Sequence, residues 1–274
     1  MTMVQHYREA LPPNEYPICV TCGTQYGEPR ADCPLCLDDR QYVPLSGQAW
    51  TSLSRLRSGA RRASVHPEGP GVLGIGCEPK FAIGQRALLV KAAGGNVLWD
   101  CVPYLDEELI DLINAEGGLT AIAISHPHYY ATMVDWAREF GVPVYLHSAD
   151  REWVGRSDPA LQFWEGDSME LAEGLVLYRP GIHFPGGTVM HWDDDPDGLG
   201  ALFSGDIIQN HPGLQPRRFY VQLSQPDSGA PGCSGSRGRA FGAAVLRAAV
   251  WGVVGLHPAP GRGPNRAGFG PPLP

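Results

Sequence analysis

Two histidines one residue apart, His126 and His128, follow an apolar run at 119–124. Alternate side chains of an extended chain point the same way, so this pair at a strand end can grip one metal ion. A second set of ligands lies earlier in the chain, Cys19-x2-Cys22 and Cys33-x2-Cys36. Each pair makes a tight knuckle whose amides can point at thiolate sulfur, and four thiolates close a tetrahedral site. A closed site keeps no open coordination position, so it folds its segment instead of performing hydrolysis. Zinc is the expected ion in both places, with iron an open alternative in either.

The composition sets the frame for these residues. A chain of 274 residues has room for one large domain with appendages and a sizeable core. Its formal net charge of −8 argues against a broad nucleic-acid surface, which leans on Lys and Arg. No apolar run reaches membrane-spanning length and the start shows no signal-peptide pattern, so the expected location is cytoplasmic, with no membrane partner. Of seven cysteines, Cys77, Cys101 and Cys233 are scattered and read as small inert residues. The clustered four fit a metal site in a reducing compartment better than a disulfide framework.

The elements that must position the ligands follow in order. Residues 1–44 form an arm and the four-cysteine ribbon. Residues 45–73 form a linker, with an Arg-rich helix (Leu53 and Leu56 with Arg55, Arg57, Arg61 and Arg62) and a Pro/Gly loop. Its arginines read as a solvated face. From residue 74 strands are expected: Phe81-Ala82-Ile83, Ala87-Leu88-Leu89-Val90, and 96–101, which carries Asp100. A helix at 106–113 with acids in its first turn leads to the 119–124 strand and its two histidines. A second helix at 130–140 stops at Gly141, and a strand at 142–147 ends in His147, read as a satisfied rim residue. Further strands at 175–178 and 200–206 lead to the His183 loop and to Asp206, while His191 and His211 read as loop residues. This alternation implies an α/β fold.

Four landmarks in this order resemble the metallo-β-lactamase-fold hydrolase superfamily, in its glyoxalase II-like form. They are a strand ending in Asp100, the strand with His126-x-His128, Gly-x-His-x-Pro-Gly around His183, and Ser-Gly-Asp ending at Asp206. The resemblance runs from about residue 81 to 209 and implies a four-layer αβ/βα sandwich over 74–223, with metal at the edge between two sheets. The ribbon knuckles likewise resemble zinc ribbons and rubredoxin-type segments. The superfamily motif is His-x-His-x-Asp-His, but here Tyr130 and Ala131 stand in its last two positions. The resemblance therefore implies one complete site of His126, His128, His183 and Asp206, and a second site lacking two protein ligands.

Three imidazoles and an open position suit a hydrolytic zinc, which lowers the pKa of its water from about 15.7 to near 7. The expected function is a metal-dependent hydrolase using zinc-bound hydroxide on an ester or thioester of a small molecule. Asp206 would bind the metal or take the proton, Asp100 would orient a ligand histidine, and the Tyr130 hydroxyl would donate to a developing oxyanion. A degenerate binding module and an iron-loaded electron-transfer ribbon remain open. Residues 228–274 contain no Asp, Glu or Lys and are dominated by Gly and Pro. The tail at 224–274 reads as disordered or out of frame, leaving the sandwich incomplete at its C-terminus.

Overall fold

The computed structural model describes residues 11–193, 195, 196, 198, 200–207 and 249–250. Two short strands, β1 (Ile18–Cys19) and β2 (Trp50–Thr51), pair antiparallel and close the ribbon around helix α1 (Pro34–Leu37). Helix α2 (Leu53–Arg57) starts at Ser52, whose hydroxyl accepts from Arg55 N. Seven strands then form one sheet in sequence order: β3 (Arg62–Gly69), β4 (Val72–Glu78), β5 (Ala87–Ala92), β6 (Gly95–Trp99), β7 (Ala121–Ala123), β8 (Val144–His147) and β9 (Leu161–Trp164). Pairing is antiparallel from β3 to β6 and parallel from β6 to β9. The parallel crossovers run through α3 (Glu107–Ala115) and α4 (Met133–Phe140).

A second sheet holds β10 (Ser168–Ala172), β11 (Leu175–Tyr178), β12 (Val189–Trp192), β13 (Ala201–Phe203) and β14 (Ala249–Val250) in that order. Its last pair, β13 with β14, is parallel.

Period-two alternation sorts the strand residues into two cores. Leu89, Leu98 and Ile122 face outward and pack beneath Leu109 and Ile113 of α3 and Val134 and Trp136 of α4. Their sequence neighbours Leu88, Val97, Trp99 and Ala123 face inward and meet Leu177, Met190, Trp192 and Phe203 of the second sheet. The described layers are therefore helices, sheet, sheet, as in the expected metallo-β-lactamase sandwich. Among the described residues no helix covers the outer face of the second sheet. The tail reading at 224–274 lies outside the described residues, apart from the β14 pairing.

Three local expectations are corrected. Phe81-Ala82-Ile83 is a turn rather than a strand: Ala82 takes φ +53°, Gly84 N bonds Phe81 O, and Phe81 packs on Leu53 and Leu56 of α2. Residues 62–69, counted with the linker, are strand β3 paired along β4. Two of its arginine neighbours are used locally, since Arg57 donates to Leu105 O at 2.5 Å and Arg61 to Pro79 O at 2.9 Å. His191, read as a loop residue, sits in β12 and is buried, with Nδ1 3.2 Å from Asp193; His211 lies outside the described residues.

The ribbon is docked on the sandwich. Arg156, buried, donates to Gln25 Oε1 at 2.6 Å and to Asp135 Oδ1 at 2.5 Å, while Gln25 Nε2 donates to Asp135 Oδ2 at 2.7 Å. The Arg156 guanidinium also lies 3.6 Å from the Tyr16 ring centroid. A buried charge of this kind is tolerated because every partner is in hydrogen-bond reach.

Candidate metal centres

All the histidine-site residues leave the sandwich at one edge. β7 ends at Ala123, and Ser125 and His126 follow in extended backbone before a 3₁₀ turn at Pro127–Tyr129 places His128. His183 lies in the loop between β11 and β12, and Asp206 lies in the turn Gly205–Ile207 after β13. One ligand atom from each of His126, His128, His183 and Asp206 falls within 4.8 Å of the others. His183 Nε2 is 3.3 Å from His128 Nδ1, and His126 Nε2 is 3.4 Å from Asp206 Oδ2.

The electrostatics of the cluster call for a cation. Burial, helped by His126 and His183, holds His128 down at about 3, and burial with His126 holds His183 at about 4. Both rings are therefore neutral at pH 7, with lone pairs free to ligate. Burial pushes against ionisation of Asp206, but its hydrogen bond and attraction to His126, then His183 and His128, keep its carboxyl below the usual range. The Nε2 atom of His128 is buried without a hydrogen-bond partner, and that of His126 has only the Asp206 carboxylate at 3.4 Å. His183 Nε2 and His128 Nδ1 can share one proton at 3.3 Å, and a cation among the rings could take its place as the partner of both nitrogens. The donor set of three imidazoles and one carboxylate fits zinc or iron.

Supporting contacts fix the ligands. Asp100 Oδ1 accepts from Ser125 N at 2.7 Å, and Ser125 Oγ lies 2.9 Å from His126 Nδ1. Asp100 thus reaches His126 through Ser125 and does not touch the ring itself. Tyr129 OH donates to Asp206 Oδ1 at 3.4 Å. Asp150 Oδ1 accepts from Gly186 N at 2.7 Å and pins the His183 loop, and burial raises this carboxyl to about 6. Asp100 and His183 both take left-handed backbone, φ +64° and +71°, a strained state for residues with a Cβ that persists only where the surroundings enforce it.

The second expected site is different. Tyr130 is fully buried and its hydroxyl donates to Asp150 O at 3.4 Å, so it is not brought to the histidines as an oxyanion donor. Ala131 is buried and its carbonyl accepts from Gln25 N of the ribbon at 3.0 Å. His147 is satisfied on both sides, with Nε2 3.1 Å from Gly166 O and Nδ1 accepting from Ala149 N at 3.1 Å. A cleft of about 340 Å³ lined by Arg57, Arg61, Arg62, Tyr104, Asp106 and Glu107 shares no residue with either cluster.

Cys19, Cys22, Cys33 and Cys36 are all buried, and their sulfurs also fall within 4.8 Å of one another. The Cys19–Cys36 and Cys22–Cys33 sulfur separations are 3.6 and 3.5 Å. These are too long for a disulfide of about 2.05 Å and near the roughly 3.8 Å edge of a tetrahedron with 2.3 Å zinc–sulfur bonds. Hydrogen bonding with Cys22 lowers the Cys19 thiol to about 7, hydrogen bonding with Cys19 lowers Cys33, and contact with Cys19 raises Cys22 and Cys36. A cation at the centre relieves this conflict by favouring all four thiolates. Tyr26 OH lies within hydrogen-bond reach of Cys33 Sγ, at 3.1 Å. Gly23 is required in its knuckle, because it takes φ +81° and a Cβ there would lie 3.0 Å from Pro103.

The eight residues singled out as candidate ligands fall into the two clusters, and Asp100 lies beside one of them. Sequence reasoning passed over Ser125 and Tyr129, although both sit inside the histidine stretch, and over Asp150, Gln85 and Arg40, which no local pattern marks.

No family model matches the chain. It is 47% identical over 197 residues to a Bacillus subtilis (strain 168) protein, the uncharacterized protein YmaE, covering 70% of this chain and 72% of that one. Among solved structures, the metallo-β-lactamase DIM-1 exposed to ceftazidime is 15% identical over 54% of this chain and 72% of its own, with a TM-score of 0.45. VMB-1 at pH 5.5 is 17% identical over 56% and 73%, with a TM-score of 0.44.

Proposed function

We propose that this chain, which belongs to the protein family of Bacillus subtilis (strain 168) YmaE, is a metal-dependent hydrolase acting on an ester or thioester of a small molecule. The observation that carries the reading is the convergence of His126, His128, His183 and Asp206 within 4.8 Å, with His128 and His183 kept neutral. A zinc ion held there would supply a water acidic near neutral pH and polarise the substrate carbonyl. The remaining work belongs to the chain. Asp206, kept ionised and partly exposed, accepts a proton at a carboxylate oxygen while Tyr129 holds its Oδ1. His126 and His128 are buried, whereas His183 and Asp206 are partly exposed, so substrate approaches from the side of those two. The net charge of −8 favours a small molecule over nucleic acid as the partner.

A binding module without turnover is the second reading, favoured by Tyr130 and Ala131, which supply no ligands for another ion. Metal analysis and ester and thioester hydrolysis on wild type beside His128→Ala separate the two. The hydrolase reading expects two ions per chain in wild type, one in the variant, and hydrolysis reduced at least 100-fold, the order lost when a catalytic metal's support is removed. Two ions with no turnover on any ester or thioester of the panel would favour the binding module.

A further inference from the structure

The two clusters are physically joined, and the joints end on the histidines. Gln85 is buried, and its single side-chain nitrogen donates to Cys22 O at 2.5 Å and to His128 O at 3.0 Å. One amide therefore spans from a cysteine knuckle to a histidine. On the other side, Asp38 follows α1, the turn that carries Cys36. Asp38 accepts from Arg40 Nε at 2.6 Å and from Nη2 at 2.8 Å, while Arg40 Nη1 donates to His183 O at 2.8 Å.

Phe184 fills the space between. It belongs to the same buried cluster as Cys19, Cys22, Cys33 and Cys36. Its ring stacks on His126 at 5.6 Å and meets His128 and His183 edge-on at 5.1 Å. The Arg40 guanidinium lies over the Phe184 ring, 3.7 Å from its centroid.

His183 holds a backbone of φ +71°, which needs outside support, and its carbonyl is the one Arg40 binds. The geometry points to a positioning role for the four-cysteine centre. An ion among the thiolates fixes the Cys22 and Cys36 knuckles, and Gln85, Arg40 and Phe184 carry that fixed geometry to His128 and His183. The histidine centre then reaches full affinity only after the cysteine centre is filled, so loading is ordered. Gln85 and Arg40 are positioning residues, since neither touches a ligand atom. This inference rests on the reading of the histidine cluster as a metal centre.

Cobalt titration of the full-length metal-free chain tests it, because the two centres differ in colour. Thiolate sites give strong near-ultraviolet charge-transfer absorption, while an imidazole and carboxylate site gives only weak visible bands. Wild type should show the charge-transfer band complete with the first equivalent, and the weak bands only with the second. Gln85→Met and Arg40→Met, each acting on a different histidine, should leave the first equivalent unchanged. Each should weaken the second roughly 10–100-fold, the range for removing a group that orients a metal ligand. Arg40 is partly exposed, so its variant perturbs the core less than one at the buried Gln85. Second-equivalent affinity unchanged in both variants, or the weak bands rising first in wild type, would overturn the ordered coupling while leaving the histidine centre standing. A wild-type chain that takes no second equivalent would sink both.

Discussion

Burial raises the Asp100 carboxyl to about 8, against the pull of its hydrogen bonds from Ser125. At pH 7 it is therefore a neutral acceptor for Ser125 N. Its folded value lies above the unfolded one, so this contribution to stability is full below about pH 4 and is lost as pH rises through 8. Asp100→Asn should keep the acceptor, bind metal like wild type, and lose the alkaline decline. Asp100→Ala should leave the buried Ser125 amide unpaired, costing about 1–3 kcal/mol, and weaken the histidine centre roughly 10–100-fold. Thermal midpoints from pH 6 to 9, with zinc competition at each pH, separate the two variants. Equal behaviour of Asn and Ala would remove Asp100 from the support of His126.

The loop between β11 and β12 shows how an element is built around one ligand. Gly186 and Gly187 leave no room for a side chain: a Cβ on Gly186 would lie 2.7 Å from the Asp150 carboxyl, and one on Gly187 would lie 2.2 Å from Ile182 O. Gly187→Ala should therefore cost about 1–3 kcal/mol in denaturant unfolding and lower zinc affinity with it, as expected of overpacking. Affinity unchanged despite lost stability would mean that the loop does not set His183. The glycines and His183 of this loop were visible in the sequence because close packing demands glycine and a candidate metal site draws the eye to histidine. Asp150, which holds the loop, was not, since a lone acid 33 positions before His183 carries no local signal. The strand ends before Asp100, His126 and Asp206 were legible from apolar runs followed by titratable residues. The turn at Phe81-Ala82-Ile83 misled, because a three-residue apolar run does not distinguish a strand from a turn that packs on α2. Strand β3 was hidden for the opposite reason: an edge strand with Arg62, His66, Pro67 and Glu68 has too little apolar alternation to announce itself.

In the molecule as a whole, the metal centres and the fold are linked through protons. His128 and His183 have folded values of about 3 and 4, below the ordinary 6.5. Their neutral forms support the native state above pH 6.5, and that support is lost as pH falls through 4 and 3. The metal-free chain should thus lose thermal stability steadily from pH 7 to 4, and a His128→Asn variant should lose less. A flat profile in wild type would contradict the burial of neutral rings. The docked ribbon also sets a ceiling on stoichiometry. Ala131 is packed at 3% exposure, holds φ +39°, and offers its carbonyl to Gln25 of the ribbon. Writing the missing ligands back as Tyr130→Asp with Ala131→His should therefore not recruit another ion: the double variant should still bind two zinc ions per chain by mass spectrometry under native conditions, and three would refute it. In this chain the ground that a third ion would need is already held by the ribbon itself.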